Sequence, residues 1–507
     1  MRYTKSEETL SMKRLILLAL SAFLLAGCND DDWVNGIYVG DNTENNGQTP
    51  KPEPEPEIGG IKPFTVADTG DEGMVYVWDD SVIPEITIHI TSEEWNKLLK
   101  RYDEFNNNVD YFHADFTYKK GSEVTFIEDG GVRLRGNTSR RRPEGNTGQN
   151  HNSVNPDWHH CHFGINFRKY HKDNDHTING IRKINLKWFK DDPCYVRELY
   201  CYDIFRRYGI WTSAFANYCR LWLQIDDETP AYFGVYDMIE PIDDEFVERR
   251  VDGMFENKKG NLWKCVYGQG GMADLKSADD WRFNWDQDNG INYTYEFKGD
   301  EEDFSAAREQ FKDFILKLNG KSDESFYQWI KEVCDVEFLL KTYATNVAVG
   351  MWDDHWNNGN NFYLYFNSTD KYDYKVFFIP YDYDNTLGTS ADCGVQNDSG
   401  RHDPYNWGGS GVLMKRLMKH DEFRKMYKDA FLELIDPDNG LLDVNASVER
   451  IKSWQNKISS FVSNDTGEDM KISDRPASWS NHPEYRLIDK GSNNFFNVKA
   501  KTIKDMK

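Results

Sequence analysis

Polar and apolar residues alternate along several short stretches in the first half of the chain, and a helical period takes over in the second. In VRLRG (132–136), Val132 and Leu134 share one face while Arg133 and Arg135 share the other. In IRKINLKW (181–188), Ile184, Leu186 and Trp188 oppose Lys183, Asn185 and Lys187. A period of two marks strands with one buried face. The outer face here is basic, which suits either phosphate oxygens or water. Further strands are expected within 75–90, 162–170, 217–225 and 231–240. A helix over 91–105 begins at a capping box, Thr91 to Glu94, and another runs from DDP (191–193) to Gly209. The Gly/Asp/Asn/Trp-rich stretch 250–300 reads as an irregular insertion. From 302 onward apolar residues recur at helical spacing: 302–320 ends in a glycine, 322–352 gives one or two helices, and 411–435 and 445–462 are amphipathic.

Inside this helical half, residues 349–388 break the period. They read as an acidic, amide-rich loop, a strand at 361–366, a polar turn and a second strand at 376–383. The second strand carries the apolar run VFFIPY and ends in two aspartates, Asp382 and Asp384. Positions i and i+2 of a strand share a face, so these carboxylates would lie roughly 7 Å apart at Cα. Their repulsion is on the order of 2 kcal/mol at an effective dielectric of about 20. A hard divalent cation with oxygen ligands is an economical way to offset it. Asp353, Asp354, His355, Asn357, Asn358, Asn360 and Asn361 supply more polar groups beside the same hairpin.

Composition narrows the field. Aromatics make up 15% of the 507 residues, enough for a large core, and a net charge of −24 excludes a general nucleic-acid surface. Residues 13–28, KRLILLALSAFLLAGC, combine basic residues, an apolar run too short to span a bilayer, and a small-residue end. The ending LAGC resembles a bacterial lipobox, which would make Cys28 the lipidated first residue of the mature chain. The acidic start that follows, Asp30 to Asp32, resembles surface-export signals of lipoproteins from Bacteroides-like bacteria. Residues 29–62, with PKPEPEPE at 50–57, read as an extended tether. The expected arrangement is therefore a signal (1–28), a linker (29–62), a globular domain (63–465) and a C-terminal tail (466–507). The other seven cysteines show neither CxxC pairs nor zinc spacing, and 286–290 and 436–440 read as turns that lack a calcium loop's bidentate acid.

Six segments then occur in the order and spacing of the CotH family of spore-coat-type atypical protein kinases: RLRGNTS, DDPCYVRELYCYDIFRRYGI, FGVYDMIEPIDDEF, DHWNN with NNFYLY, IPYDYDNTLG and GVLMKRLMKHDEFRKMYKD. The resemblance covers roughly 80–465. It implies an α+β, divergent protein-kinase-like two-lobe fold, with a β-rich N-lobe and an α-rich C-lobe. It further implies Mg²⁺- or Mn²⁺-dependent transfer of the ATP γ-phosphoryl group to a protein hydroxyl. Carried over residue by residue, Asp354 would be the catalytic aspartate, with Asp353 the alternative. Asp382, Asp384 and Asn361 would hold the metal, and Glu240 would sit near the nucleotide. Arg135 and Lys187 would face the phosphates, on the strand-face argument more than on the resemblance. Two departures stand out. His159, His160 and Cys161 replace the lysine that family members commonly place ahead of the strand HFGINF, and the loop from Asp354 to Asn361 is longer than usual. Two other readings stay open: a non-catalytic lipoprotein of the same fold that binds a glycan or protein partner, and a phosphatase in which Asp382 of DYDNT is the nucleophile. The expected location is the outer membrane, held at the cell surface by the lipid anchor alone.

Overall fold

A computed structural model describes residues 60–172, 175–251, 253–285, 293–389, 398–406, 411–475 and 485–506. The expected signal with Cys28, the tether up to 59, the turn at 286–290 and Cys393 lie outside them. Everything described belongs to one of two units of the chain, 53–507.

The first half is built on a helix α1 (Glu72–Trp78), strand β1 (Glu85–Ile90), helix α2 (Ser92–Glu104), and strands β2 (Phe112–Lys120), β3 (Glu123–Arg135), β4 (His162–Asn166) and β5 (Lys183–Lys187). Helix α3 (Arg197–Arg207), strands β6 (Ala216–Ile225) and β7 (Ala231–Ile239), and the short α4 (Asp244–Glu248) complete it. The strands close into a seven-stranded barrel in the order β1-β2-β3-β4-β5-β7-β6. All neighbours are antiparallel except β1 and β6, whose parallel pairing from Glu85↔Arg220 to Ile90↔Ile225 makes the closure. The alternating apolar residues fill the interior: Ile86, Ile88, Val132, Leu134, Ile184 and Leu186 are all buried in one cluster. A strand was expected from 75, but residues 72–78 are helical. Asp71 caps them by accepting from the amides of Gly73 and Met74 at 2.8 and 3.2 Å.

The stretch 250–300 does more than interrupt. It supplies β8 (Gly260–Cys265), β9 (Phe283–Trp285) and β10 (Tyr295–Phe297), and after helices α5 (Phe304–Gly320), α6 (Asp323–Val333) and α7 (Val336–Ala348) the expected hairpin follows as β11 (Phe362–Asn367) and β12 (Lys375–Pro380). These form a five-stranded sheet, β12-β11-β8-β10-β9. β11 pairs with β12 from Phe362↔Pro380 to Asn367↔Lys375, and with β8 on its other side. Helices α8 (Val412–Leu417), α9 (Asp421–Ile435), α10 (Val444–Ile458) and α11 (Phe495–Lys504) finish the helical half. Its core, with Phe311, Phe314, Leu340, Tyr343, Leu417 and Phe431, also takes in the buried face of α3. The chain is thus mixed α+β, with a barrel preceding helices packed on a second sheet.

The tail finds a definite seat. Glu468 accepts from Arg141 at 2.9 Å and from the amide of His160 at 3.1 Å, on the long β3–β4 connection. Asp474 accepts from the amides of Leu487, Ile488 and Asp489, leading the chain into α11. The six described free cysteines are all buried, and among the described residues no helix is long and apolar enough to cross a membrane.

Candidate functional site

Four barrel strands lie side by side with polar residues in register. The registers Arg135↔His162, Phe163↔Leu186 and Lys187↔Asp237 place Arg135, His162, Lys187 and Asp237 in one row across β3, β4, β5 and β7. A second row, two residues along, holds Arg133, Gly164 and Asn185. Gly164 is what lets the arginines lie flat across β4: a Cβ there would sit 2.8 Å from Cδ of Arg135. This outward face, read in the sequence as basic and one-sided, forms a wall of a polar cavity of about 570 Å³.

The facing wall comes from the ends of β11 and β12. Tyr363, Tyr381, Asp382, Asp384, Asn361 and Asp353 all line the cavity, as do Arg135 and Lys187. The two aspartates meet there by a different route from the one expected. The strand stops at Pro380, and Asp382 takes a left-handed φ of 63°, its amide donating to the Tyr202 hydroxyl of α3 at 3.1 Å. A turn, not strand pitch, brings the carboxylates together; Asp tolerates that backbone better than most residues.

Lys187 is the electrostatic centre. Its ammonium lies 2.6 Å from Glu198 on α3, pairs with Asp382, and stands 3.6 Å from Asp384. Part of the positive charge demanded by the paired aspartates therefore comes from the chain itself. Burial opposes the Lys187 charge, but Asp382, Glu198 and Asp384 hold it well above the usual lysine range. Burial likewise opposes ionisation of Asp382, yet Lys187 and Arg135 keep its carboxyl below the ordinary value. The charge is not balanced, however. Burial raises Glu198, with Lys187 offsetting part of the effect. Asp384 is pushed up to about 8 by burial and by Asp382 and Glu198, against Lys187. Its Oδ1 is shielded from solvent without a hydrogen-bond partner. Asp237, behind Lys187, is raised well above the carboxylate range by burial and Glu198, and neither of its oxygens has a partner. An orphaned carboxylate oxygen beside surplus negative charge fits a divalent cation at Asp384 and Asp382. Among the described residues no three His, Cys, Asp or Glu side chains group as metal ligands, so such an ion would need amide, phosphate or water oxygens as well.

The loop before β11 turns the two catalytic candidates different ways. Asp354 is buried and does not line the cavity. Its Oδ1 accepts from the amides of Trp356 and Asn357 at 3.2 and 3.3 Å, its Oδ2 has no partner, and burial holds its carboxyl well above the usual range. Asp353 lines the cavity instead. It accepts from the side-chain amides of Asn358 (2.6 Å), Asn360 (3.1 Å) and Asn361 (3.1 Å), and burial raises its carboxyl. Asn361 holds its place with a φ of 52°.

Two other expectations change. Glu240 is not among the lining residues; it forms a fully buried ion pair with Arg250, at 2.7 and 2.9 Å, while Arg250 also donates to the carbonyls of Trp211 and Ser213. The neighbouring Pro241 and Ile242 reach the cavity in its stead. His159, His160 and Cys161 are turned away from it: His160 bonds the Phe233 carbonyl at 2.8 Å, His159 meets Arg141, and Cys161 packs inside the barrel. These three residues therefore take no part in the charge of the cavity.

Glu198 was not foreseen. The signal was a carboxylate one position into a helix whose residues 197–205 are all buried, just after a strand with an outward lysine. Lys264 and Tyr267, from the β8 segment, also line the cavity and were hidden in the presumed insertion. A family model described as CotH kinase protein matches residues 132–488. No curated protein matches the chain.

Proposed function

The chain belongs to the CotH kinase protein family, and on that premise we propose that its cleft transfers the γ-phosphoryl group of ATP to a hydroxyl of a protein acceptor. The observation that carries this reading is Lys187, whose ammonium joins Glu198 of α3 to Asp382 beyond β12. Phosphoryl transfer by kinases depends on such a lysine–glutamate pair, on an aspartate for the metal ion and on another beside the acceptor. In this reading the barrel with α3 is the N-lobe of a divergent kinase-like fold, and the second sheet with its helices is the C-lobe.

Lys187 and Arg135 neutralise phosphate oxygens. Asp353, presented by three asparagine amides, orients the acceptor hydroxyl and takes its proton as the oxygen attacks phosphorus and ADP departs. Asp382, Asp384 and Asn361 would hold Mg²⁺ or Mn²⁺. When bound, that ion supplies neutralising charge to the transferred phosphate. His162, held well below the usual histidine range by burial, Lys187 and Arg135, adds no charge at neutral pH. The expectations from residues 13–28 place the mature chain on an outer membrane, lipid-anchored at Cys28 and facing its acceptor at the cell surface.

Exposed aromatic rings favour a second reading, a non-catalytic binder of a glycan or protein on the same fold. Tyr267, at the cavity, is 51% exposed, and Trp281 is 64% exposed. One measurement separates the two. A ligand that binds only the native state raises its melting temperature. Millimolar ATP with Mn²⁺ should raise that of the purified chain, labelled phosphate should pass to protein, and Asp382→Ala should lose both. No shift in the wild type would retire the phosphotransfer reading.

A further inference from the structure

The cavity runs on past the acidic corner to a second polar corner which the phosphotransfer reading does not use. Arg133 stands two residues back from Arg135 on the same face of β3. Its guanidinium has no hydrogen bond or ion pair among the described residues, and its Nε is shut off from solvent. It rests over the ring of Tyr111, at 5.4 Å, and Lys169 lies over the same ring at 4.8 Å. Gly131 permits this stack, because a Cβ there would come within 2.8 Å of both Lys169 Cβ and Tyr111 Cδ1. Arg140 closes the corner, donating to the carbonyls of Gly136 at 2.9 Å, Asn106 at 3.0 Å and Asn108. Burial, with Arg133 and Arg135 nearby, pushes Arg140 down to about 10. No described carboxylate pairs with Arg133 or Arg140, whereas Lys183 and Lys187 each meet two acids or more.

Distance separates this corner from the reacting one. Arg133 and Lys187 are two strands apart and offset by two residues, which is about 12 Å at Cα from the strand spacing and rise. The two charged heads are also engaged differently: the Arg133 guanidinium rests on Tyr111, whereas the Lys187 ammonium is tied to Glu198, Asp382 and Asp384. An anion that meets Arg133 where it stands therefore suits another part of what is bound. Arginine's planar fork favours a carboxylate held by two parallel bonds.

We propose that Arg133, Arg140 and Lys169 form an anion subsite that takes the carboxylates of an acidic peptide segment flanking the acceptor hydroxyl. The inference rests on the phosphotransfer reading for the word acceptor, but its test does not. A fluorescent serine peptide flanked by glutamates, and its glutamine counterpart, are titrated into the full chain and read by anisotropy. The glutamate peptide should bind about tenfold more tightly, the worth of one charge-assisted contact. Arg133→Gln should erase that preference and leave the Mn²⁺–ATP melting shift unchanged. Should Arg133→Gln fail to fold, Arg133→Lys is read instead; it keeps the charge, loses the fork and should weaken the preference. Equal binding of the two peptides to the wild type overturns the proposal. So does loss of the nucleotide shift in Arg133→Gln with the peptide preference intact, since the corner would then serve the nucleotide. A wild type that prefers the glutamate peptide through Arg133 but shows no nucleotide shift keeps the subsite and discards the enzymatic reading alone.

Discussion

Replacing Lys187 with methionine removes the ammonium shared by Glu198, Asp382 and Asp384 while keeping most of its apolar stem. Lys187 and Glu198 are only 12% and 7% exposed and 2.6 Å apart, so the pair behaves as a buried one. Removing one partner from such a pair costs about 3–5 kcal/mol. The stranded carboxylates can escape part of that cost by taking up protons. Their pKa values near 4 in the unfolded chain would then be exceeded in the folded variant. A carboxyl with a raised folded pKa keeps its full contribution below the unfolded value and loses it as pH rises through the folded one. Asp384, already at about 8 with Lys187 pulling it down, puts the upper end of that window above that value once the ammonium is gone. The variant should therefore lie closest to the wild type below about pH 4 and fall furthest behind above about pH 8. Urea unfolding at the two pH values measures the gap, with an unchanged slope showing that the unfolded state is the same. Added Mn²⁺ should narrow the gap at the higher pH. A gap equal at both pH values, or none at all, would refute the charge assignment at this corner.

Further substitutions test the site as proposed. Asp353→Asn should lower the rate of transfer by about 10²–10⁴-fold, the usual worth of a positioned base, with the nucleotide melting shift retained; Asp354→Asn, at a carboxyl that lies outside the cavity and is raised by burial, should leave transfer nearly intact, and the opposite ranking in a labelled-ATP assay would favour Asp354 as the base. Arg250→Ala should cost about 3–5 kcal/mol in urea unfolding by stranding Glu240. A loss of nucleotide affinity without that loss of stability would put Glu240 back beside the nucleotide.

The strand faces could be read directly, because alternation in VRLRG and INLK leaves no choice about which residues point outward. Arg135 and Lys187 were placed by that argument more than by the family resemblance. The β11–β12 hairpin was equally plain, and so were most helices of the second half, including the one ending at Gly320, whereas 322–352 could be read as one helix or two and proves to be α6 and α7. Pairing over long separations was not legible. β1 meets β6 across some 135 positions, and nothing local to EITIHI announces a closed barrel. β9 and β10 are three residues each, too short for a period to show. The capping box at α2 formed only in half: Thr91 accepts from the Glu94 amide, but the Glu94 carboxylate turns to Lys97 and the His113 amide. The order of Asp353 and Asp354 could not be read, since adjacent residues in a loop point apart and only the fold decides which one meets the cavity. Glu240 misled for a related reason: its acidity is spent on Arg250, ten residues further on.

The barrel's manner of closing bears on how this chain can be cut. The stretch matched by the family begins at 132, within β3, and ends at 488, short of α11. An excised fragment with those boundaries would lack β1, β2 and residues 123–131 of β3, leaving β6 and the end of β4 with bare backbone donors and acceptors along their margins. Such open margins recruit other chains, so the fragment should precipitate or self-associate where the longer chain stays monodisperse. A workable start lies ahead of Glu72, so that α1 and both closing strands are retained.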